Sequence, residues 1–307
     1  MIKKTFLLTA SAAALTAAPA FAHSAWLKPS TTVLSDQSQS VTVDAATSTE
    51  PFNADHNAMN TDDIKVWAPD GTMGKIENAA RGRYRSTFDV KIDKPGTWRI
   101  GTQTSSVSGT FKLNGEDWRV GRMRGGMGPA GPGGAAQLAG PAPAAAAGAG
   151  APPRPAFDPS KVVASVAEIP AGATDLNLTE SQSRNEFFVT SGEPSATALQ
   201  PTNNGLEMVP EGSPTDLVQN EPGKFRFLVD GKPAPGIKVK VIPDGQRYRE
   251  SEASQELTTD AGGAISVGWP VAGFYWLNAS LSDDKPAAAR ATKRRLSYTA
   301  TLEVVAP

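Results

Sequence analysis

The chain contains two histidines, His23 and His56, among its 307 residues. His23 follows Ala20, Phe21 and Ala22, which form the small-x-small pattern that signal peptidase recognises. Cleavage after Ala22 makes His23 the first residue of the mature chain. A terminal histidine offers two nitrogen donors, its α-amine and its ring nitrogen, which close a chelate around one metal ion. The cleavage site Ala22–His23 therefore sets what chemistry His23 can perform.

A second imidazole is available only from His56, in the stretch "FNADHNAMN" (52–60). Three nitrogen donors in one site suit copper(II), and nickel(II) or cobalt(II) accept the same set, with copper or nickel bound more tightly than cobalt. Asp55, directly before His56, adds an oxygen donor. Other donors follow a few residues later: Met59, Asp62 and Asp63. We predict a metal site formed by His23, His56 and Asp55.

Both histidines also have an interpretation without a metal. The segment around His56 is polar and rich in turn-forming residues, so its imidazole can simply be solvated. His23 can begin a first strand and donate a structural hydrogen bond. The position of His56 relative to the mature N-terminus decides between the two interpretations.

The N-terminal 22 residues have the features of an export signal. Lys3 and Lys4 form a basic region, and the run 5–18 is small and apolar. That run is short for a membrane span, and no second candidate follows it. We expect residues 1–22 to be a signal peptide that is cleaved after Ala22. The mature protein is then expected to be periplasmic, without stable membrane insertion.

Charge and cysteine content restrict the classes of partner and site. The formal net charge is −1, and the chain has no cysteine. Without a strong basic field there is little to attract phosphates, so we expect no nucleic-acid partner. The absence of cysteine excludes disulfides, thiolate metal ligands and cysteine nucleophiles.

Hydrophobic periodicity is that of short strands separated by turns. Residues 39–45 and 84–92 alternate apolar and polar side chains, and no helical period of useful length occurs. The stretch 228–245, followed by the Gly-rich turn and strands of 258–281, is typical of immunoglobulin- or transthyretin-like sandwiches. We predict an all-β fold of two such β-sandwich domains, 23–200 and 205–307.

One segment interrupts this pattern. Residues 124–156 consist almost entirely of Gly, Ala and Pro. Such a composition cannot bury enough apolar surface to offset chain entropy. We predict a disordered insertion over about 120–157 within the first domain.

Several phrases of the sequence together resemble one bacterial family: "HSAWLKPS" (23–30), "NGLEMVPEGSPTDL" (204–217), "FLVDGKPAPGIKVKVIPDG" (227–245), "RYR" (247–249), "TTDAGG" (258–263), "GFYWLNA" (273–279) and "RRLSYTATLEV" (294–304). It is the domain-of-unknown-function family often labelled a nickel/cobalt uptake periplasmic component, or NikM-like. Ala25 stands where the family's opening motif commonly has an aromatic residue. The resemblance implies two β-sandwich domains, export and metal handling.

We therefore expect a non-enzymatic metal-binding or metal-delivery accessory protein for nickel, cobalt or copper. Its expected partners are components of a membrane or outer-membrane uptake system. One alternative is a metal-free interaction or structural module of the envelope. The enzymatic alternative is a copper monooxygenase with an N-terminal histidine brace. Other enzyme classes are disfavoured, because the sequence has neither the Gly-x-Ser-x-Gly elbow of serine hydrolases nor a phosphate-binding loop.

Tryptophan and arginine side chains give two further expectations. Most of the six tryptophans lie in strand-like runs, which favours core packing over a carbohydrate platform, with Trp118 as the expected exception. The arginines of the C-terminal part are expected to pair with nearby glutamates. The arginines are Arg247, Arg249, Arg294 and Arg295, and the glutamates are Glu250, Glu252 and Glu256.

Overall fold

The structure is a computed structural model, and it describes residues 24–35, 39–121 and 158–307. The predicted signal peptide, His23 and nearly all of the predicted insertion lie outside the described residues. Among the described residues, no helix has both the length and the apolar character needed to cross a membrane.

The described residues form strands joined by turns and short 3₁₀ helices. The strands are β1 (Ser24–Pro29), β2 (Val33–Leu34), β3 (Gln39–Ser48), β4 (Asn57–Ala58), β5 (Ile64–Trp67), β6 (Ile76–Arg81), β7 (Ser86–Ile92), β8 (Gly96–Leu113), β9 (Glu116–Val120) and β10 (Val162–Val163). They continue as β11 (Thr174–Ser191), β12 (Leu206–Pro210), β13 (Leu217–Val218), β14 (Gly223–Val229), β15 (Lys232–Pro233), β16 (Lys238–Pro243), β17 (Gln255–Thr258), β18 (Ala264–Val267), β19 (Gly273–Asp283) and β20 (Lys293–Val305). The 3₁₀ helices are Pro159–Lys161, Val166–Glu168, Thr197–Leu199 and Gln246–Tyr248. The all-β prediction is confirmed.

Three sheets are formed. A five-stranded sheet has the order β1-β3-β7-β6, with β4 paired to β3. An eleven-stranded sheet, here called the shared sheet, has the order β10-β9-β8-β11-β20-β19-β16-β17, with β2, β5 and β13 attached. A four-stranded sheet has the order β12-β14-β15, with β18 on β14.

The two smaller sheets pack on opposite faces of the shared sheet, as the alternation along β11 shows. Phe187 and Val189 are buried in the core that contains the five-stranded sheet. Phe188, between them, is buried in the core that contains the four-stranded sheet. Because successive side chains of a strand point to opposite faces, β11 contributes to both cores. This face-to-face packing of sheets confirms the predicted β-sandwich fold.

The strand pattern seen in the sequence explains the first core. Val41, Val43 and Ala45 on β3 are fully buried, and Phe88 and Val90 on β7 pack with them. The residues between them point outwards, so one face of the five-stranded sheet is apolar and the other is solvated. This is the half-buried antiparallel sheet that period-two alternation predicts.

The central pairing of the shared sheet is long. β8 and β11 run antiparallel along nearly their whole length, and the second edge of β11 pairs in parallel with β20. Gly101 lies at a point of close approach, where an added Cβ would be 2.3 Å from the carbonyl oxygen of Asn185. Only glycine fits there without displacing the ladder.

A third cluster joins the N-terminal strand to the C-terminal part of the shared sheet. Trp26 on β1 is buried together with Ile242 on β16 and Trp276 on β19. The indole nitrogen of Trp276 donates a 3.0 Å hydrogen bond to the carbonyl oxygen of Ala25. The N-terminal strand is thus anchored to residues more than 200 positions later in the chain.

Candidate metal centre

The predicted mature N-terminus directly precedes β1, a strand that is fixed by buried contacts. Ser24 is the first residue of β1 and pairs with Ser48, the last residue of β3. The indole nitrogen of Trp26 donates a 2.6 Å hydrogen bond to the hydroxyl of Ser48, which in turn donates to the carbonyl oxygen of Glu50. The position of Ser24 at this end of β3 is therefore set by buried contacts. His23 itself lies outside the described residues.

The segment that carries the other predicted ligands returns to the same end of β3. After β3 the chain turns and forms β4, in which Asn57 pairs with Thr47 on the edge of β3 opposite to β1. His56, immediately before Asn57, is exposed. The structure therefore brings His56 and Ser24 to the same end of one strand.

Asp55 is held at this end by a hydrogen bond. Its Oδ1 accepts a 3.0 Å hydrogen bond from the backbone N–H of Thr49, the residue that follows β3. This bond occupies one carboxylate oxygen and orients the other. Asp55 is exposed, like His56.

The remaining donors of the segment are placed differently. The side chain of Met59 is partly buried against the first core, so it serves packing. Asp62 and Asp63 are exposed. Within residues 24–35, 39–121 and 158–307, no group of three or more His, Asp and Glu side chains is placed to hold a metal ion. Asp55 and His56 alone thus form an incomplete site.

A small basic and aromatic cluster lies beside the N-terminal strand. The ammonium of Lys28 on β1 is 2.5 Å from the carboxylate of Asp244. It also lies 5.5 Å from the ring centre of Phe52 and 5.1 Å from that of Phe274, within the range of cation–π attraction. Phe52 packs edge-on against Trp26 at 5.7 Å. These contacts hold the turn after β3, and with it Asp55 and His56, close to β1.

A polar network surrounds the buried Arg294 on the shared sheet. Arg294 on β20 donates hydrogen bonds to Asp283 and is 2.8 Å from Asp230. The hydrogen bonds from Arg294 are the main cause that lowers the pKa of Asp283, and burial opposes them. These acidic residues come from other strands and loops, and no local spacing in the sequence indicates that they meet.

A family model described as "Domain of unknown function (DUF4198)" matches residues 20–283. The chain belongs to the DUF4198 family. The match includes β1, the turn that carries Asp55 and His56, and most of the shared sheet. No curated protein matches this DUF4198 member.

Solved structures give only distant likenesses to the DUF4198 chain. A DUF4785 family protein from Legionella pneumophila is 7% identical with a TM-score of 0.22, over 82% of this chain and 50% of that one. The D0-D1 domain of Intimin is 10% identical with a TM-score of 0.20, over 90% and 97% of the two chains. A Salmonella alpha-2-macroglobulin mutant is 13% identical with a TM-score of 0.23, over 92% of this chain and 15% of that one.

Proposed function

We propose that this DUF4198 protein is an exported metal-binding or metal-delivery accessory protein, with nickel, cobalt or copper as its cargo and no catalytic activity. One observation carries the proposal: Asp55 and His56 lie at the end of β3 where Ser24, the neighbour of His23, is paired. The resemblance to proteins labelled nickel/cobalt uptake periplasmic components supports the same cargo. It also supports a membrane or outer-membrane uptake system as the partner.

The strand register supports a shared site. Ser24 and Asn57 flank β3 on its two edges, paired with the adjacent residues Ser48 and Thr47. Neighbouring strands are about 4.8 Å apart, so Ser24 and Asn57 are separated by roughly 10 Å. In the sequence, His23 directly precedes Ser24 and His56 directly precedes Asn57. Two imidazole side chains that extend toward one another from such positions can meet at one ion.

The donor set follows from export. Removal of residues 1–22 frees the α-amine of His23, which then chelates together with the ring nitrogen of the same residue. His56 supplies the third nitrogen, and the Asp55 carboxylate supplies an oxygen through the atom that Thr49 does not occupy. A set of three nitrogens and one oxygen suits divalent nickel and copper, and it binds cobalt more weakly.

Calorimetry with nickel, cobalt and copper on the correctly processed protein tests the proposal. We expect one ion per chain, with the affinity order copper, nickel, cobalt. His56→Ala and Asp55→Asn are each expected to weaken binding, His56→Ala by about tenfold or more. Placing one glycine ahead of His23 removes the free amine from that residue, and we expect a loss at least as large.

The matched control is Asp93→Asn. Asp93 is an exposed aspartate that follows β7 at the opposite end of the five-stranded sheet from Ser48 and Asn57. Its substitution should leave every affinity unchanged. Equal affinity with and without the added glycine would remove the amine from the site, and equal affinity after His56→Ala would remove the shared site altogether.

A further inference from the structure

A polar pocket lies on the other face of the shared sheet, away from the candidate metal centre. It has a volume of ≈ 450 Å³ and is lined by residues that include Lys65, Gln103, Glu180, Gln182, Arg184 and Asn204. These side chains come from β5, β8 and β11 and from the loop that leads into β12. The volume falls within the range of about 300–1,000 Å³ that is usual for small-molecule sites.

The floor of this polar pocket consists of buried charges that are already paired. Arg184 is 4% exposed and is 3.1 Å from the carboxylate of Glu207. It also donates to the hydroxyl of Thr202 and to the carbonyl oxygen of Asn204. The floor therefore contributes fixed, oriented polar groups without a surplus charge at Arg184.

Glu180, the other charged residue of the floor, is equally committed. It is 3% exposed and accepts hydrogen bonds from the side-chain amide of Gln182 at 2.8 Å and from the backbone N–H groups of Ala287 and Ala288. Burial raises the pKa of Glu180, but these hydrogen bonds outweigh it, and the net shift is downward. The negative charge of Glu180 is therefore stabilised by the protein itself and does not require a cation from a ligand.

Two groups at the rim are uncommitted. The ammonium of Lys65 and the amide of Gln103 have no hydrogen-bond or ion-pair partner among the residues that the structure describes. Lys65 pairs in register with Gly101, and Gln103 with Arg184, so both side chains are on the face that carries the pocket. The rim therefore presents one cation, one amide and the hydroxyl of Ser105.

We propose that the polar pocket binds a small carboxylate that carries hydroxyl groups, such as a sugar acid. Lys65 pairs with the carboxylate, and Gln103 and Gln182 exchange hydrogen bonds with the hydroxyls. An apolar ligand is disfavoured because it would desolvate these amides and charges without replacing their hydrogen bonds. Among the described residues that line the pocket, Lys65 is the single cation without a partner, so it can pair with one carboxylate. The negative charge of the nearby Glu180 disfavours a doubly charged phosphate.

Calorimetry on metal-free protein, treated with EDTA and dialysed, tests this site independently of the metal proposal. The probes are D-glucuronate and D-gluconate, with D-glucose and D-sorbitol as the corresponding neutral compounds. We expect each acid to bind with a stoichiometry of one per chain. Its affinity should be at least about tenfold higher than that of the corresponding neutral compound, because one charge-assisted hydrogen bond usually contributes that much. Lys65→Gln should weaken binding of the acids by about tenfold and leave the neutral compounds unchanged.

The matched control is Lys91→Gln, because Lys91 is an exposed lysine on β7 of the five-stranded sheet. It should bind both acids as the unaltered protein does. Circular dichroism and the melting temperature establish that both variants are folded. The proposal is overturned if neither acid binds at millimolar concentration, if the neutral compounds bind equally well, or if Lys91→Gln weakens binding as much as Lys65→Gln.

Discussion

The guanidinium of Arg184 lies 3.1 Å from the carboxylate of Glu207, and the two side chains are 5% and 3% exposed. Arg184 is on β11 of the shared sheet and Glu207 is on β12 of the four-stranded sheet, so the ion pair joins two layers. Burying both charges has a desolvation cost that largely offsets their attraction. The main consequence of the pair is therefore the penalty when one member is removed.

Arg184→Met is expected to lower the free energy of unfolding by about 3–5 kcal/mol, because it leaves Glu207 buried without its cation. Adding Glu207→Gln should recover part of this loss, since the amide oxygen still accepts from Thr202. Urea denaturation measures both variants. Arg226→Met breaks a pair with Glu211 whose side chains are 41% and 38% exposed, and it should cost less than about 1 kcal/mol. A double variant as unstable as Arg184→Met would contradict this account.

The stability of the protein should depend on pH through Asp283. Its pKa is lowered in the folded state, chiefly by hydrogen bonds from Arg294. A lowered folded pKa stabilises the protein above the ordinary aspartate value of about 3.9, and this stabilisation disappears as the pH falls through the folded value. Urea midpoints measured from pH 7 to pH 2 should fall less steeply below about pH 4 in Asp283→Asn than in the unaltered protein. Asp93→Asn, at an exposed site, should follow the unaltered curve, and an equal slope in Asp283→Asn would disprove the linkage.

Thr301→Val is expected to raise the free energy of unfolding by about 1 kcal/mol. Thr301 on β20 is 1% exposed, and its hydroxyl has no hydrogen-bond partner in the described part of the chain. Replacing it with a methyl group removes the cost of burying an unpaired polar atom. Thr190→Val is the opposite control, because the buried hydroxyl of Thr190 shares hydrogen bonds with Thr97 and Thr215. Calorimetry measures the melting temperatures of Thr301→Val and Thr190→Val. A lower melting temperature for Thr301→Val than for the unaltered protein would refute the claim that its hydroxyl is buried without a partner.

Gly101→Ala is expected to destabilise the protein by about 1–3 kcal/mol or more. The added Cβ would lie 2.3 Å from the carbonyl oxygen of Asn185, in the middle of the pairing between β8 and β11. Gly172→Ala is the control, since a Cβ there meets nothing within 4 Å. Chemical denaturation should show a loss for Gly101→Ala alone. Equal stability of the two variants would mean that the ladder tolerates the displacement.

The sequence predicts the strands that have one buried face and misses the extent of those that do not. β3 and β7 follow from alternating apolar residues, as predicted. Apolar residues within 96–103 and 109–115 predict two separate strands there, whereas the structure has one continuous strand, β8, over Gly96–Leu113. The intervening residues are largely exposed Ser and Thr, so no hydrophobic period marks them, and backbone pairing with β11 extends the strand. The part of β11 before Asn185 is missed for a different reason: most of its residues are polar, although Leu178, Glu180 and Arg184 are buried.

Side-chain roles were predictable where packing alone decides them. Four tryptophans are buried, as expected of core residues: Trp26, Trp98, Trp269 and Trp276. Trp118, the expected exception, is partly buried against a hydrophobic cluster and stacks on Phe111 at 6.1 Å, so it also serves packing.

Ion pairs were less predictable than packing. Arg294 pairs with Asp230 and Asp283, so its expected pairing with a nearby glutamate is wrong. Arg249 donates to backbone carbonyl oxygens, including that of Pro243. Because strand order brings distant residues together, ion pairs cannot be read from proximity in the sequence. The approach of Asp55 and His56 to Ser24 depended in the same way on the strand register.

The alternation of Phe187, Phe188 and Val189 on β11 has a consequence for how the chain can be divided. A fragment that begins after residue 200 would lack Phe188 and would leave the parallel edge of β20 without its partner strand. A fragment that ends there would keep Phe188 exposed to water. Each half thus relies on the same strand to close its hydrophobic interior. Folding of the described chain is therefore coupled across both sandwiches, and recombining or shuffling them as independent modules would expose an aggregation-prone sheet edge.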